Sequence, residues 1–112
     1  MATQVYLIAN DLLGIIKIGI SRAPLERLNT LQNSSGCELR LIKSAKPTRK
    51  ASLVEKELHD LFSSNRGIGE WFELNEDEAI QAFKIACKKR KPSNRKVPVW
   101  LAKNRYQHKK VI

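Results

Sequence analysis

The chain has few cysteines, and this scarcity limits what can hold it together. Cys37 and Cys87 are the only two, they lie far apart, and no Cys-x-x-Cys spacing occurs. A disulfide scaffold and a cysteine zinc site are therefore excluded. We expect two free thiols in a reducing compartment and no disulfide-linked partner.

Long hydrophobic runs are also missing. No apolar stretch approaches the roughly 20 residues of a membrane-spanning helix, and no charged-then-apolar leader opens the chain. We therefore expect a soluble protein without a membrane partner. It should be cytoplasmic, near the nucleoid or in a phage-infected cell, or nuclear in a eukaryote.

Acidic residues are absent from the last quarter of the chain. Residues 84–112 contain eleven Lys and Arg and no Asp or Glu, whereas residues 1–83 carry a net charge of −1. A near-neutral body with a basic tail indicates a polyanionic partner, most often nucleic acid. The candidate contacts are Arg22 in the body and the basic residues Lys88, Lys89, Arg90, Lys91, Arg95, Lys96, Lys103, Arg105, Lys109 and Lys110.

The hydrophobic pattern of the 112 residues predicts one α+β domain with an antiparallel sheet of three or four strands. In residues 3–10, both faces of the strand are apolar, which predicts burial on both sides. The predicted order is β-β-α-β-α-(β)-α, with strands at 3–10, 15–20, 37–45 and within 66–75, and helices at 23–33, 47–65 and 75–89.

Several residues indicate where the helices begin and which sides they bury. Ser21 or Pro24 can start the first helix, Thr48 is a candidate cap for the second, and Asn75 with Glu78 predicts a capped third helix. Inward positions are expected at Leu25, Leu28 and Leu31, at Ala51, Val54, Leu58, Leu61 and Phe62, and at Ile80, Phe83 and Cys87. Gly19, inside a strand, indicates a bend or a close backbone approach.

Five polar residues are candidates for a shared site. Tyr6 and Lys17 lie in the first two strands, Arg27 in the first helix, and Glu55 and His59 one turn apart on the second. Glu can bind Mg²⁺, Arg and Lys can stabilise phosphate charge, and Tyr, His or metal-bound water can act on a nucleophile. Judged by their spacing alone, the same five residues are equally explained by ordinary structural roles at the edge of the core.

Four ordered motifs resemble the GIY-YIG nuclease superfamily, and one phage, bacterial and fungal branch in particular. The motifs are Lys17-Ile18-Gly19-Ile20-Ser21, Pro24 through Gln32 (Pro-x-x-Arg-Leu-x-x-Leu-Gln), Glu55 to His59, and Gly69-Glu70-Trp71-Phe72. Gln4-Val5-Tyr6 takes the place of the first signature triplet and Lys17-Ile18-Gly19 that of the second. The resemblance covers about residues 4–83.

The resemblance implies a three-stranded antiparallel sheet flanked by helices and Mg²⁺- or Mn²⁺-dependent hydrolysis of DNA with one ion. It implies a nuclease domain, which we place at residues 1–88. The charge pattern, and not the resemblance, predicts a basic, nucleic-acid-binding tail at 89–112. By position, Tyr6 is the general base or water-orienting phenol, Arg27 binds the scissile phosphate, and Glu55 is the metal ligand. Lys17 takes a tyrosine's place, and His59 lines the same pocket.

Two features of the chain depart from the superfamily pattern. Lys17 replaces a phenol, although a neutral lysine could serve as a base. The late Asn of many members has two candidate counterparts here, Asn65 and Asn75. In the fourth motif, Glu70 is expected as a rim charge beside core residues Trp71 and Phe72. The leading hypothesis is a metal-dependent DNA endonuclease, and the alternatives are a non-catalytic nucleic-acid-binding module and a protein-interaction domain.

Overall fold

The computed structural model describes residues 2–89, and within them strands and helices follow the predicted order. The elements are β1 (Gln4–Asn10), β2 (Ile15–Ser21), α1 (Pro24–Ser34), β3 (Leu39–Ala45), α2 (Ala51–Leu61), a 3₁₀ turn (Ser63–Asn65), β4 (Trp71–Glu73) and α3 (Glu76–Lys88).

The four strands form one antiparallel sheet in the order β3-β1-β2-β4. This confirms the α+β class. The short strand β4 pairs with the beginning of β2, opposing Trp71 to Lys17, so the sheet has four strands rather than the three implied by the resemblance. Since β4 covers only residues 15–17 of β2, no other strand within residues 2–89 pairs with the edge of β2 beyond Lys17.

The central strand β1 is buried on both sides, as its sequence predicted. Val5, Leu7 and Ala9 pack in the main core with α2 and α3, while Tyr6 and Ile8 join a second core on the α1 side. The sheet therefore separates two hydrophobic layers, each closed by helices.

A tight turn at 11–14 connects β1 to β2. Gly14 has a φ of 67°, a conformation that favours glycine, and the Leu13 amide donates to Asn10 Oδ1 over 3.1 Å. The hairpin pairs Tyr6 directly with Gly19.

The first helix begins at Pro24, and Ser21 is not its N-cap. The Ser21 hydroxyl instead accepts a hydrogen bond from the Ala23 amide, ahead of the helix. Leu28 and Leu31 pack on the second core, but the expectation for Leu25 was wrong, since it is 66% exposed. The register of α1 on the sheet buries the later two leucines only.

The second helix is shorter than the predicted 47–65 at both ends, because it spans Ala51–Leu61 and a separate 3₁₀ turn follows it. Thr48 does not cap it, since both its amide and its hydroxyl donate to the Cys87 carbonyl and so tie this loop to the end of α3. The predicted apolar stripe is confirmed: Ala51, Val54, Leu58 and Phe62 are buried and Leu61 packs beside them.

The third helix has the predicted cap, with Asn75 accepting from the Glu78 amide over 3.2 Å. Phe83 and Cys87 are buried and Ile80 packs beside them. Both cysteines are free thiols, and burial raises the pKa of Cys87 to about 11. Among residues 2–89, no helix has the length and apolar character needed to cross a bilayer.

Candidate functional site

Three side chains of types that can ligate a metal ion meet beside Ile18 of β2. Glu55 and His59 project from α2, and Glu70 comes from the turn that precedes β4. One potential ligand atom from each lies within 4.8 Å of the others. The helical spacing predicted the first two as neighbours, and the fold adds a second carboxylate.

A backbone contact fixes the His59 ring. Its Nε2 lies 2.9 Å from the Ile18 carbonyl oxygen, and its ring packs at 5.1 Å from that of Phe72. Because a carbonyl only accepts, Nε2 carries the proton in this bond and Nδ1 of the neutral ring keeps its lone pair. A histidine that donates one nitrogen to a backbone carbonyl is oriented to bind a metal with the other.

Glu70 is held in place from two directions. Its carbonyl accepts from the Ile18 amide over 3.2 Å, and its carboxylate Oε1 accepts from Lys17 Nζ over 3.0 Å. The prediction of a simple rim charge was incomplete, because Glu70 joins the cluster of Glu55 and His59. No local pattern in the sequence joins Glu70 to the other two residues, because the contact is made only when β4 pairs with β2.

Lys17 is buried rather than extended into water. Its residue exposure is 7%, and its ammonium lies 5.8 Å from the centre of the Trp71 ring as well as against Glu70. Both are contacts that an ammonium makes. Lys17 therefore links the Glu70 carboxylate to the Trp71 ring.

Tyr6 reaches the site across the backbone of Gly19. A Cβ atom at position 19 would lie 2.6 Å from Tyr6 Cζ, so only glycine leaves room for the ring. This confirms the predicted close approach. Burial raises the pKa of the Tyr6 phenol, Arg27 opposes the rise, and the charges of Glu70 and Glu55 add to it. The phenol is therefore a neutral hydroxyl at neutral pH.

Arg27 lies on the exposed side of α1 and lowers the pKa of the Tyr6 phenol, so the fold brings it to the same site. Within residues 2–89 it forms no ion pair with Glu26 or Asp60, the partners that a purely structural role would favour; Asp60 pairs with Lys56 instead. The guanidinium is thus available to an external anion.

Glu55 lies in surroundings that disfavour its negative charge. Burial raises the pKa of its carboxyl group and the neighbouring Glu70 charge raises it further, against the opposing effects of His59 and Lys17. A divalent cation would relieve the repulsion of two carboxylates. Two carboxylates and an imidazole nitrogen fit a hard or borderline cation that keeps part of its water shell, as Mg²⁺ and Mn²⁺ do.

The other predicted residues lie away from this cluster. Arg22 is exposed after β2, Lys88 is exposed at the end of α3, and Lys89 is paired with Glu57 over 3.0 Å. Asn75 caps α3, and Asn65 ends the 3₁₀ turn. The remaining predicted contacts lie outside the described residues: Arg90, Lys91, Arg95, Lys96, Lys103, Arg105, Lys109 and Lys110.

Comparison with known proteins gives one match. The model of a family described as the T5orf172 domain matches residues 3–87, which are most of the chain and include the whole sheet and all of its helices except the last residue of α3. No curated protein and no solved structure matches.

Proposed function

The chain belongs to the T5orf172 domain family, a family associated with nuclease-related domains, and from this premise we propose that it is a metal-dependent DNA endonuclease of the GIY-YIG type. The observation that carries the proposal is the convergence of Glu55, His59 and Glu70 beside Lys17. A DNA partner and a location where the chain meets DNA, in the cytoplasm or a nucleus, follow from the same proposal.

In the proposed site, Glu55 is the principal ligand of one Mg²⁺ or Mn²⁺ ion. Glu70 supplies a second carboxylate and His59 a ring nitrogen. Nδ1 would be the ligand, because Nε2 is bonded to the Ile18 carbonyl. A bound divalent cation would lower the pKa of a coordinated water and so supply a nucleophile at neutral pH.

The chain's own residues would bind and orient the phosphodiester. Arg27, exposed and without an acidic partner among the described residues, would bind the scissile phosphate, and Lys17 would add positive charge close to the carboxylates. The Tyr6 hydroxyl, neutral because its pKa is raised, would orient the water or donate a proton rather than act as a phenolate base.

The test is a cleavage panel of plasmid, linear, single-stranded and branched DNA with Mg²⁺ and Mn²⁺. The native chain should nick or cut at least one substrate only with metal. Glu55→Gln and Arg27→Ala should each lower the rate by roughly 10²-fold or more, the effect of removing one charge-stabilising group. Glu70→Gln should weaken Mn²⁺ binding, measured by calorimetry, at least about tenfold.

Glu73→Gln is the matched control, because Glu73 is an exposed carboxylate on β4 outside the cluster. It should cleave DNA and bind Mn²⁺ like the native chain. No cleavage of any substrate with either metal would contradict the nuclease proposal.

A second candidate is a nucleic-acid-binding module without catalysis. The pairing of Lys17 with Glu70 favours it, since this lysine stands where the resemblance expects a tyrosine. This candidate predicts salt-sensitive DNA binding that survives Glu55→Ala but not removal of residues 84–112. Metal-dependent cleavage would exclude it.

A further inference from the structure

A pocket opens on the α1 side of the sheet, next to the proposed catalytic site. It encloses about 280 Å³, and its lining includes Asn10, Leu13, Leu31, Ser34 and Trp71. We name it the Asn10–Trp71 pocket. Ligand pockets commonly measure roughly 300–1,000 Å³, so this one suits a single ring system rather than a large cofactor. A smaller cavity between α2 and α3, of about 30 Å³, has room for little more than a water molecule.

Trp71 connects the pocket to the cationic side of the site. Its half-buried indole lines the pocket, and Lys17 Nζ lies 5.8 Å from the centre of the same ring. A polyanionic strand whose phosphate lies near Lys17 therefore has an adjacent group within reach of the indole. Aromatic side chains in such positions stack on nucleobases.

Asn10 supplies a buried polar group to the pocket. The residue is only 5% exposed, and its Oδ1 accepts from the Leu13 amide. Within residues 2–89 its Nδ2 donates to no protein atom, and it is not among the atoms sealed from solvent. A side-chain amide that borders a pocket with a free donor is suited to an acceptor on the edge of a base.

The rim beside Asn10 is apolar and open. Leu13 lines the pocket and is 61% exposed, and the neighbouring Leu12 is 78% exposed. An apolar rim, an indole and one free amide donor match a flat heteroaromatic ring with polar edges. The nearby Lys17 and Arg27 favour a ring attached to a phosphodiester chain over a peptide side chain.

We propose that the Asn10–Trp71 pocket receives one unpaired nucleobase of the strand held at the phosphodiester site. The preferred substrate is then single-stranded or locally unpaired DNA, because a base inside a duplex is covered by its stacking neighbours. This inference rests on the proposed function for the position of the strand, and it names the substrate class.

The test measures binding without metal, so that cleavage cannot affect it. Fluorescence anisotropy compares a labelled single strand with the same sequence as a duplex, in EDTA. Ser34→Trp places a large side chain at an exposed lining position, whereas Asn33→Trp adds the same side chain one residue earlier, outside the lining. Circular dichroism checks that both variants are folded.

The native chain should bind the single strand more tightly than the duplex. Ser34→Trp should weaken single-strand binding about tenfold, the size expected for one lost stacked base, and Asn33→Trp should not. A second readout uses Trp100→Phe, which leaves Trp71 as the chain's single tryptophan. Its emission should be quenched by the single strand and unchanged by the duplex.

Equal binding by Ser34→Trp and Asn33→Trp would overturn the inference, as would Trp71 emission that no single strand alters. The failure of the proposed function looks different. If the chain cuts no DNA but Ser34→Trp lowers its affinity for the single strand, the pocket inference stands and the nuclease proposal fails. If the chain cuts DNA but Ser34→Trp binds the single strand as the native chain does, the nuclease proposal stands and the pocket inference fails.

Discussion

Glycine at position 19 determines where the Tyr6 phenol can lie. The two residues are paired across the hairpin, and the ring occupies the space that a side chain at position 19 would fill. Arg27 lowers the pKa of the same phenol, whereas Glu70 and Glu55 raise it. The absence of one Cβ therefore lets α1, β1 and the carboxylate cluster share a site.

Gly19→Ala should displace Tyr6 and lower both stability and any DNA cleavage. The new methyl group would overpack a buried ring, which typically costs about 1–3 kcal/mol in the free energy of unfolding. Urea denaturation measures this change.

Gly36→Ala is the matched control, because nothing lies within 4 Å of a Cβ at position 36 and its φ is not positive. Its stability should stay within about 0.5 kcal/mol of the native chain. Equal stabilities for the two variants would contradict the steric role of Gly19.

The end of α3 is joined to α2 by a charged network rather than by a helix cap. The Arg49 guanidinium, with 8% of its side chain exposed, donates to Glu57 over 2.6 Å and to the Ala86 carbonyl over 3.0 Å. Lys89 donates to the same carboxylate. Burial tends to raise the pKa of Glu57, but the hydrogen bonds from Arg49 and Lys89 lower it overall. The network holds the two helices that cover the main core.

Glu57→Ala should destabilise the fold because it leaves the buried Arg49 charge without its carboxylate. Breaking a fully buried pair costs about 3–5 kcal/mol, and we expect about 2 kcal/mol here because Glu57 is partly exposed. Chemical denaturation gives the value.

The control for this network is Asp60→Ala on the same helix, which removes an exposed i,i+4 pair with Lys56. It should cost only about 0.3–0.5 kcal/mol. Similar losses in the two variants would show that the Arg49 contact carries no special weight.

Arg40 on β3 links two other elements, the hairpin turn and α3. It donates to Asp11 over 2.9 Å and to Glu76 over 2.6 Å, and these hydrogen bonds lower the pKa of both carboxyl groups. A carboxyl group whose pKa is lower in the folded state stabilises the fold at any pH above its pKa in the unfolded state, near 4. This stability is lost as the pH falls through the pKa of the folded state.

Removing this guanidinium in Arg40→Gln should raise the pKa values of Asp11 and Glu76 toward their ordinary range. Carboxyl titration by NMR measures both in the native chain and in the variant. Unchanged pKa values in Arg40→Gln would show that these ion pairs do not form in solution. Thermal melts from pH 6 to 3 should fall less steeply for the variant.

At the scale of the whole molecule, charge is divided between two parts of the chain. Residues 1–83 are nearly neutral and residues 84–112 carry eleven positive charges. DNA affinity should therefore come mainly from the second part and decline with salt, because each neutralised phosphate releases counterions.

Arg95→Gln combined with Lys96→Gln should lower the salt dependence of single-strand binding. Two lost phosphate contacts reduce the slope of log affinity against log salt by about 1.4. Binding titrations at several salt concentrations measure it. Lys56→Gln, which removes an exposed cation of the body, is the control and should leave the slope unchanged.

The sequence alone determined the local structure and the two-layer core. Alternating apolar residues in β1, the stripe of α2 and the Asn75 cap depend on neighbours within a few residues, and all are confirmed. The pairing of Glu55 with His59 likewise follows from helical spacing. Such features can be predicted because they depend on geometry along the chain.

Only the tertiary structure decided how the site is completed. Glu70 meets Lys17 across 53 positions in the chain, and it joins Glu55 and His59 because β4 pairs with just three residues of β2. Thr48 and Leu25 were misassigned for a related reason, since a contact with the end of α3 and the register of α1 override local pattern. Sequence patterns report neighbours along the chain, whereas this site depends on contacts between distant segments.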